Sequence, residues 1–214
     1  MIRIQQLKLK LGESEQKLPA MAAKKLRIST EHIEKFQIRK KSIDARKKPA
    51  LFFVYTVDVE INPVCGSENH LIKRAKDKNV LPVNTVSYSA LVTGSIPLAQ
   101  PIVVGAGPAG LFCTYMLASA GYRPILLERG GDVDERSQAV ERFWESGLLD
   151  PECNVQFGEG GAGTFSDGKL NTLVHDKLGR SRFVLETFVK FGAPECILYD
   201  SKPHIGTDVL KTVV

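Results

Sequence analysis

The opening stretch IRIQQLKLKL alternates apolar and polar residues with a period near two, the pattern of a strand with one buried face. SEQKLPAMAAKKL has helical composition, and Pro19 lets that helix begin only near Leu18. KFQIRKKSIDARKK and ALFFVYTVDVEI read as two further strands. The second sets Phe53, Tyr55, Val57, Val59 and Ile61 on one face. These elements predict a small β-α-β-β unit of the α+β class within residues 2–61. NPVCGSENHLIKRAKDKNVLP reads as a polar, charged connection. GSIPLAQP, with its Gly, Ser and two prolines, reads as the linker to a second domain.

From Pro101 the pattern changes. Ile102, Val103 and Val104 form a short continuous apolar run, which suits a strand buried on both faces. Gly105, Gly107 and Gly110 follow as G-x-G-x-x-G, with Pro108 and Ala109 between the last two, and LFCTYMLASAG then has helical composition. In a strand–turn–helix setting the first glycine permits a tight turn. The second lets backbone approach a pyrophosphate, and the third lets helix and strand pack closely. The unpaired amides at the helix start attract phosphate, and Pro108 fits the first turn, where its missing N–H costs nothing. A second strand, ILLE, ends in Glu128, eighteen positions beyond Gly110. That is where a carboxylate accepts hydrogen bonds from an adenosine ribose. Gly-x-Gly turns also arise for structural reasons alone; the acid at this spacing is what favours a dinucleotide.

GGDVDERSQAVERFWESGLLDPE begins as a glycine turn and continues as a helix with Val140, Phe143 and Trp144 on its apolar side. NVQFGEGGAGTFSDGKLNT then places Gly158, Gly160, Gly161, Gly163 and Gly168 within eleven positions, with Thr164, Ser166 and Lys169 interspersed. So many glycines cost backbone entropy, which is offset where the chain must pass close to something flat or charged. The segment reads as a cofactor-lining loop offering amides and hydroxyls to phosphate, ribitol or an isoalloxazine edge.

The 214 residues are 43% hydrophobic and 25% charged, the balance of an ordinary globular chain. No apolar run approaches the ~18 residues of a membrane helix, and four scattered cysteines without a C-x-x-C pair fit a reducing cytoplasm. Residues 1–99 hold 18 Lys and Arg against 9 Asp and Glu, and residues 100–214 hold 11 against 15. A basic amino-terminal module thus precedes a mildly acidic one.

PIVVGAGPAGLFCTYMLASAGYRPILLERG resembles the amino-terminal end of a flavoprotein FAD domain of the glutathione-reductase type. With ERGGDVDER, FWESGLLDPECNVQFGEGGAGTFSDGKLNT, GAPECILYDSKPHIGTD and the basic amino-terminal module, the chain resembles a family of bacterial FAD-dependent dehydrogenases of unassigned substrate. The resemblance implies that Gly105, Gly107, Pro108, Ala109 and Gly110 take the pyrophosphate and Glu128 the ribose. It places Arg129 and Arg136 in the segment approaching adenine and phosphates, and Gly160, Gly161, Gly163, Thr164 and Ser166 in the flavin-side loop. Members of that family are longer and complete the FAD domain with later strands, so the likeness makes this chain an amino-terminal portion.

The expected fold is therefore α/β, an incomplete FAD-binding Rossmann-type parallel sheet at residues 100–214 preceded by a small basic α+β domain with linker at 1–99. The expected function is that of a cytoplasmic FAD-dependent oxidoreductase with NAD(P)H as candidate electron donor and a small-molecule substrate. Lys169 is either beside the flavin pyrimidine edge or solvent-facing, and His204 either lines a substrate pocket or is structural. No residue is singled out as catalytic, no metal is expected, and the absence of a Cys pair argues against an internal redox disulfide. Two other readings stand beside this one: an NAD-dependent dehydrogenase using the same turn, and nucleic-acid binding through Arg39, Lys40, Lys41, Arg46, Lys47 and Lys48. Nucleic acid is not the expected partner, because aromatic residues are sparse along that run.

Overall fold

The computed structural model describes residues 1–84, 86–89, 99–170 and 175–214. The linker read at 94–101 lies outside the described residues up to position 98, as do 171 and 172 of the second glycine-rich segment. The chain divides into two compact units, one of Met1–Val86 with Glu195–Pro203, the other of Ser87–Pro194 with His204–Val214. Residues 195–203 therefore group with the amino-terminal unit, across the linear boundary drawn from the sequence.

The first unit runs β1 (Ile2–Lys10), α1 (Leu18–Leu26), β2 (Ile33–Lys47), β3 (Ala50–Ile61), α2 (Glu68–Ala75) and β4 (Val80–Pro82). Its antiparallel sheet has the order β2-β3-β1-β4, so the unit is a complete β-α-β-β-α-β module. One sheet face carries Ile2, Ile4, Leu7, Leu9, Tyr55, Val57, Val59 and Ile61, and Leu18, Ala22 and Leu26 of α1 and Leu71 of α2 close over it. The step from Ile4 to Leu7 breaks strict alternation. The pairing register shifts there, and Gln6 takes a left-handed backbone (φ 59°), which returns the following residues to the core face. The charged connection read at 62–82 is corrected to α2 and β4. Ser67 caps α2 by accepting from the His70 N–H at 3.3 Å, and Leu71 is its buried anchor.

On the opposite face of the sheet Asp58, only 1% exposed, accepts two hydrogen bonds from Arg3 at 2.7 and 2.8 Å and pairs with Arg39 at 3.3 Å. Edge strand β2 is partly closed at Lys41, whose N–H donates to the Tyr199 carbonyl at 2.7 Å and whose carbonyl accepts from Ser201 at 3.0 Å.

The second unit begins with β5 (Ile102–Val104), α3 (Pro108–Ser119) and β6 (Ile125–Leu127). The two strands pair in parallel, Ile102 with Ile125 and Val104 with Leu127, the β-α-β arrangement of a Rossmann-type half. Two strands are all that this sheet contains among the described residues, and Val104 is 82% exposed where a full parallel sheet would bury it. Beyond β6 come α4 (Val133–Ser146), α5 (Arg180–Lys190) and α6 (Thr207–Val213). Helix α5 lies beside α3 through rings: Phe112 is 6.4 Å from Phe183 and 5.8 Å from Phe188, and Tyr115 meets Phe191 edge-on at 5.5 Å. The apolar side read for α4 needs correction. Val140 is buried, but Trp144 is 65% exposed, and the helix turns Arg136, Ser137 and Ala139 inward.

Candidate dinucleotide-binding site

The site starts where β5 stops. The Gly105 N–H donates to the Leu127 carbonyl at 2.6 Å, extending the parallel ladder by one bond, and Gly105 then turns the chain at φ 96°. Gly107 is extended and caps α3, which opens with Pro108; the first-turn amides of a helix have no partner within it. A Cβ on Gly110 would fall deep inside the Gly105 carbonyl and 3.6 Å from Val103 Cγ1. The third glycine is thus demanded by packing. Gly107 differs: a Cβ there would meet no atom within 4 Å. The fold leaves open the space that a phosphate needs.

Glu128 closes the other side of the turn. Its Oε2 accepts from Ala106 N–H at 2.6 Å, and its Oε1 accepts from Gly130 at 2.9 Å and from Arg129 at 3.0 Å. Partial burial pushes its pKa up. The backbone N–H groups of Gly130, Ala106, Arg129 and Gly158 outweigh that effect and hold it below the ordinary 4.5. The acid that spacing assigns to a ribose is therefore also the acceptor that ties β6 to the glycine turn. Arg129 beside it is exposed, pairs with Glu152 at 2.9 Å and lies 4.4 Å above the Phe157 ring.

The second glycine-rich segment folds directly onto the first. Gly160 donates its N–H to the Ala106 carbonyl at 2.8 Å. Gly161, at φ 68°, sits so close that a Cβ would lie 3.0 Å from Pro108 Cδ and 3.2 Å from Gly107 Cα. Gly163, like Gly107, faces open space. Ser166 Oγ donates to the Gly163 carbonyl at 2.8 Å, while Thr164 is 2% exposed and its Oγ1 has no hydrogen-bond partner. Thr164, Gly163, Ser166 and Lys169 line a cavity of about 530 Å³ whose other walls include Pro108, Phe112, Thr114, Tyr115 and Phe188. Thr114 Oγ1 is likewise buried without a partner. A volume of that order, mostly apolar walls and a few unsatisfied hydroxyls suit a small organic ligand.

Lys169 is exposed and paired with Asp167 at 2.7 Å. It stands opposite His204 in an antiparallel bridge, where Ile205 N–H donates to the Gly168 carbonyl at 2.8 Å. The backbone thus brings together the two segments that hold Lys169 and His204, far apart in sequence. Arg136 is 0% exposed, and its guanidinium donates to carbonyls of residues 154–161. The cavity rings on α3 and α5 carry no site signal in the sequence. Their apolar spacing is that of ordinary helix packing, so only their position beside the two glycine segments distinguishes them. Among the described residues no group of His, Cys, Asp and Glu stands ready for a metal ion, and all four cysteines are free thiols.

Residues 103–142 match the family described as NAD(P)-binding Rossmann-like domain. With the strand–turn–helix–strand geometry, this match supports a Rossmann-like dinucleotide-binding element within the second unit. Residues 1–60 match a family described as Domain of unknown function (DUF8436). An uncharacterized protein from Clostridium beijerinckii (strain ATCC 51743 / NCIMB 8052) is 46% identical over 214 residues, which is 100% of this chain and 39% of that protein. The chain thus spans about two fifths of the length of the relative it matches. No helix among the described residues is long and apolar enough to cross a membrane.

Proposed function

We propose that this chain is the FAD-binding portion of an FAD-dependent oxidoreductase. The observation that carries the reading is the docking of the second glycine segment on the first turn through Gly160 N–H and the Ala106 carbonyl, with the cavity opening beside that junction. In this reading the turn at Gly105–Gly110 and the start of α3 hold the pyrophosphate, and Glu128 faces the adenosine ribose. Residues 160–166 line the flavin side. The residues present fit such a group. Gly107 and Gly163 leave space for it, and the orphaned Thr164 hydroxyl supplies a hydrogen bond without a partner in the protein. FAD when bound supplies the hydride or electron transfer. The chain's own residues bind it, orient it and exclude water through the aromatic walls of α3 and α5.

NAD(P)H as electron donor and a small-molecule substrate complete the proposal. A nicotinamide dinucleotide as the ligand of the turn itself is the second reading, favoured by the description of the family that residues 103–142 match. Nucleic acid has no place in either. Within the basic run, Arg39, Lys41 and Arg46 are paired with Asp58, Glu15 and Asp44 of the same unit. Titrating the intact protein, freed of nucleotide, with FAD, NAD⁺ and NADP⁺ decides between the readings. The proposal expects FAD to bind tightly with the spectral change of a protein-bound flavin. Retention of NAD⁺ with no flavin binding overturns it.

A further inference from the structure

Arg136 is a cation sealed inside the second unit without an ion pair among the described residues. Helix α4 carries it inward at the close of its first turn, with the Arg136 N–H bonded to the Asp132 carbonyl at 2.9 Å. Its Nε donates to the Asn154 carbonyl at 2.9 Å and its Nη2 to Val155 at 2.7 Å. Its Nη1 donates to the carbonyls of Glu159 and Gly161, both at 2.7 Å. Gly158 lies against the arginine stem, where a Cβ would come 2.6 Å from Arg136 Cδ, and the Phe165 ring centroid is 4.8 Å from the guanidinium carbon. One side chain therefore gathers the whole bend that delivers Gly160 to Ala106.

None of these partners carries a charge, and among the described residues Arg136 forms no ion pair. Glu128 acts on it only through space while serving the turn's own amides. Burying a charge that no counter-ion offsets is costly, and carbonyl dipoles meet only part of that cost. The Gly161 that Arg136 holds packs against Gly107 of the turn, whose helix start suits an anion.

We infer that Arg136 is a positioning residue for an anionic ligand at the Gly105–Gly110 turn: it shapes the 154–161 bend that clamps the turn, and its charge favours a phosphate it does not touch. The inference rests on the dinucleotide reading above. ADP and adenosine serve as probes, since they share the base and ribose and differ in the diphosphate. Intact protein should bind ADP more tightly than adenosine. In Arg136→Gln that preference should shrink about tenfold, the scale of a charge acting across a partly screened interior. Arg136→Lys, which keeps the charge but loses the planar fork, should weaken both probes while keeping most of the preference. Equal weakening of ADP and adenosine in Arg136→Gln would reduce the residue to scaffold and overturn the inference. If Arg136→Gln fails to fold, Arg136→Lys decides: weakened binding of both probes with the ADP-over-adenosine preference kept supports it, and unchanged affinities, or loss of the preference although the charge is retained, overturn it. Wild-type protein that binds neither ADP nor FAD would sink the dinucleotide reading itself.

Discussion

Ala106 and Glu128 are joined by a 2.6 Å hydrogen bond from the backbone N–H of one to Oε2 of the other. The carbonyl of the same Ala106 accepts from Gly160 at 2.8 Å. A single residue in the glycine turn is thus held from both sides, by the strand-end acid and by the second glycine segment. The turn is shaped before any ligand arrives, which lowers the ordering cost of binding.

Glu128→Ala should therefore cost more than a ribose contact. It strips the acceptor from Ala106, Gly130 and Arg129 as well, and unsatisfied amides in a partly buried turn are destabilising. Dinucleotide affinity should fall by at least the one to two decades expected for one charged hydrogen bond, about 1.5–3 kcal/mol. Amide exchange at Ala106 should quicken in the ligand-free protein. Unchanged exchange with weakened binding would assign the acid to the ribose alone. The pH dependence has a definite sign. A carboxyl whose folded pKa is depressed adds stability above its unfolded value of about 4.5, and that contribution is lost as pH falls through the lower folded value. Binding should hold steady down to about that pH and weaken below it.

Gly110 and Gly107 should separate when substituted. Gly110→Ala drives a methyl into the Gly105 carbonyl, so α3 must lift from β5 at a cost of about 1–3 kcal/mol or more. The second unit should melt earlier with or without ligand. Gly107 has an ordinary backbone (φ −74°) and empty space before it, so Gly107→Val should leave the melting of the ligand-free protein nearly unchanged. Its dinucleotide binding should be lost. Equal effects of the two substitutions would contradict the division into a packing glycine and a ligand glycine.

The contrast between those glycines marks what the sequence can carry. The strand–turn–helix–strand of 102–128 is legible because each residue reports on its own backbone: a β-rich run, glycines at turn positions, a helix start at proline. The faces of β1 and β3 are legible for the same reason, through alternation. Helix α2 and β4 were hidden because one buried leucine in eight residues and a three-residue strand leave too little periodicity to read. The burial of Arg136 was hidden for a different reason. An arginine in a charged helical stretch is ordinarily a solvated residue, and its burial follows from a loop some twenty residues later that folds back over it.

Alkaline titration should expose the first unit's polar lock. Tyr55 is 1% exposed, donates its hydroxyl to Glu15 at 2.9 Å, and burial with that acid raises its pKa from 10.0 to about 12. The raised value means the neutral phenol stabilises the fold fully below pH 10, and that contribution is lost as pH climbs toward 12. Among the five tyrosines, Tyr55 and Tyr199, also raised by burial, should ionise late. Tyr115, whose hydroxyl is held by Lys190 at 3.1 Å, should ionise early. Phenolate absorbance followed through the titration checks the order, and Glu15→Gln should bring the Tyr55 step forward.

The exposed face of the parallel pair yields the last expectation. Ile102, Val104, Ile125 and Leu127 share one side of β5 and β6 by register, and all four are exposed. Parallel sheets normally bury both faces, and a contiguous apolar patch drives association. The 214-residue chain in isolation should bind a hydrophobic dye and self-associate as its concentration rises. Val104→Lys with Leu127→Lys should suppress both effects. Val104 has little burial to lose and Leu127 about half, so the cost to stability should stay within about 0.5 kcal/mol for the first and about 1 kcal/mol for the second. Light scattering and dye fluorescence across a concentration series, with thermal melting as control, measure this. A wild-type chain that stays monomeric and dark to the dye at every concentration would mean that the face is not free in solution.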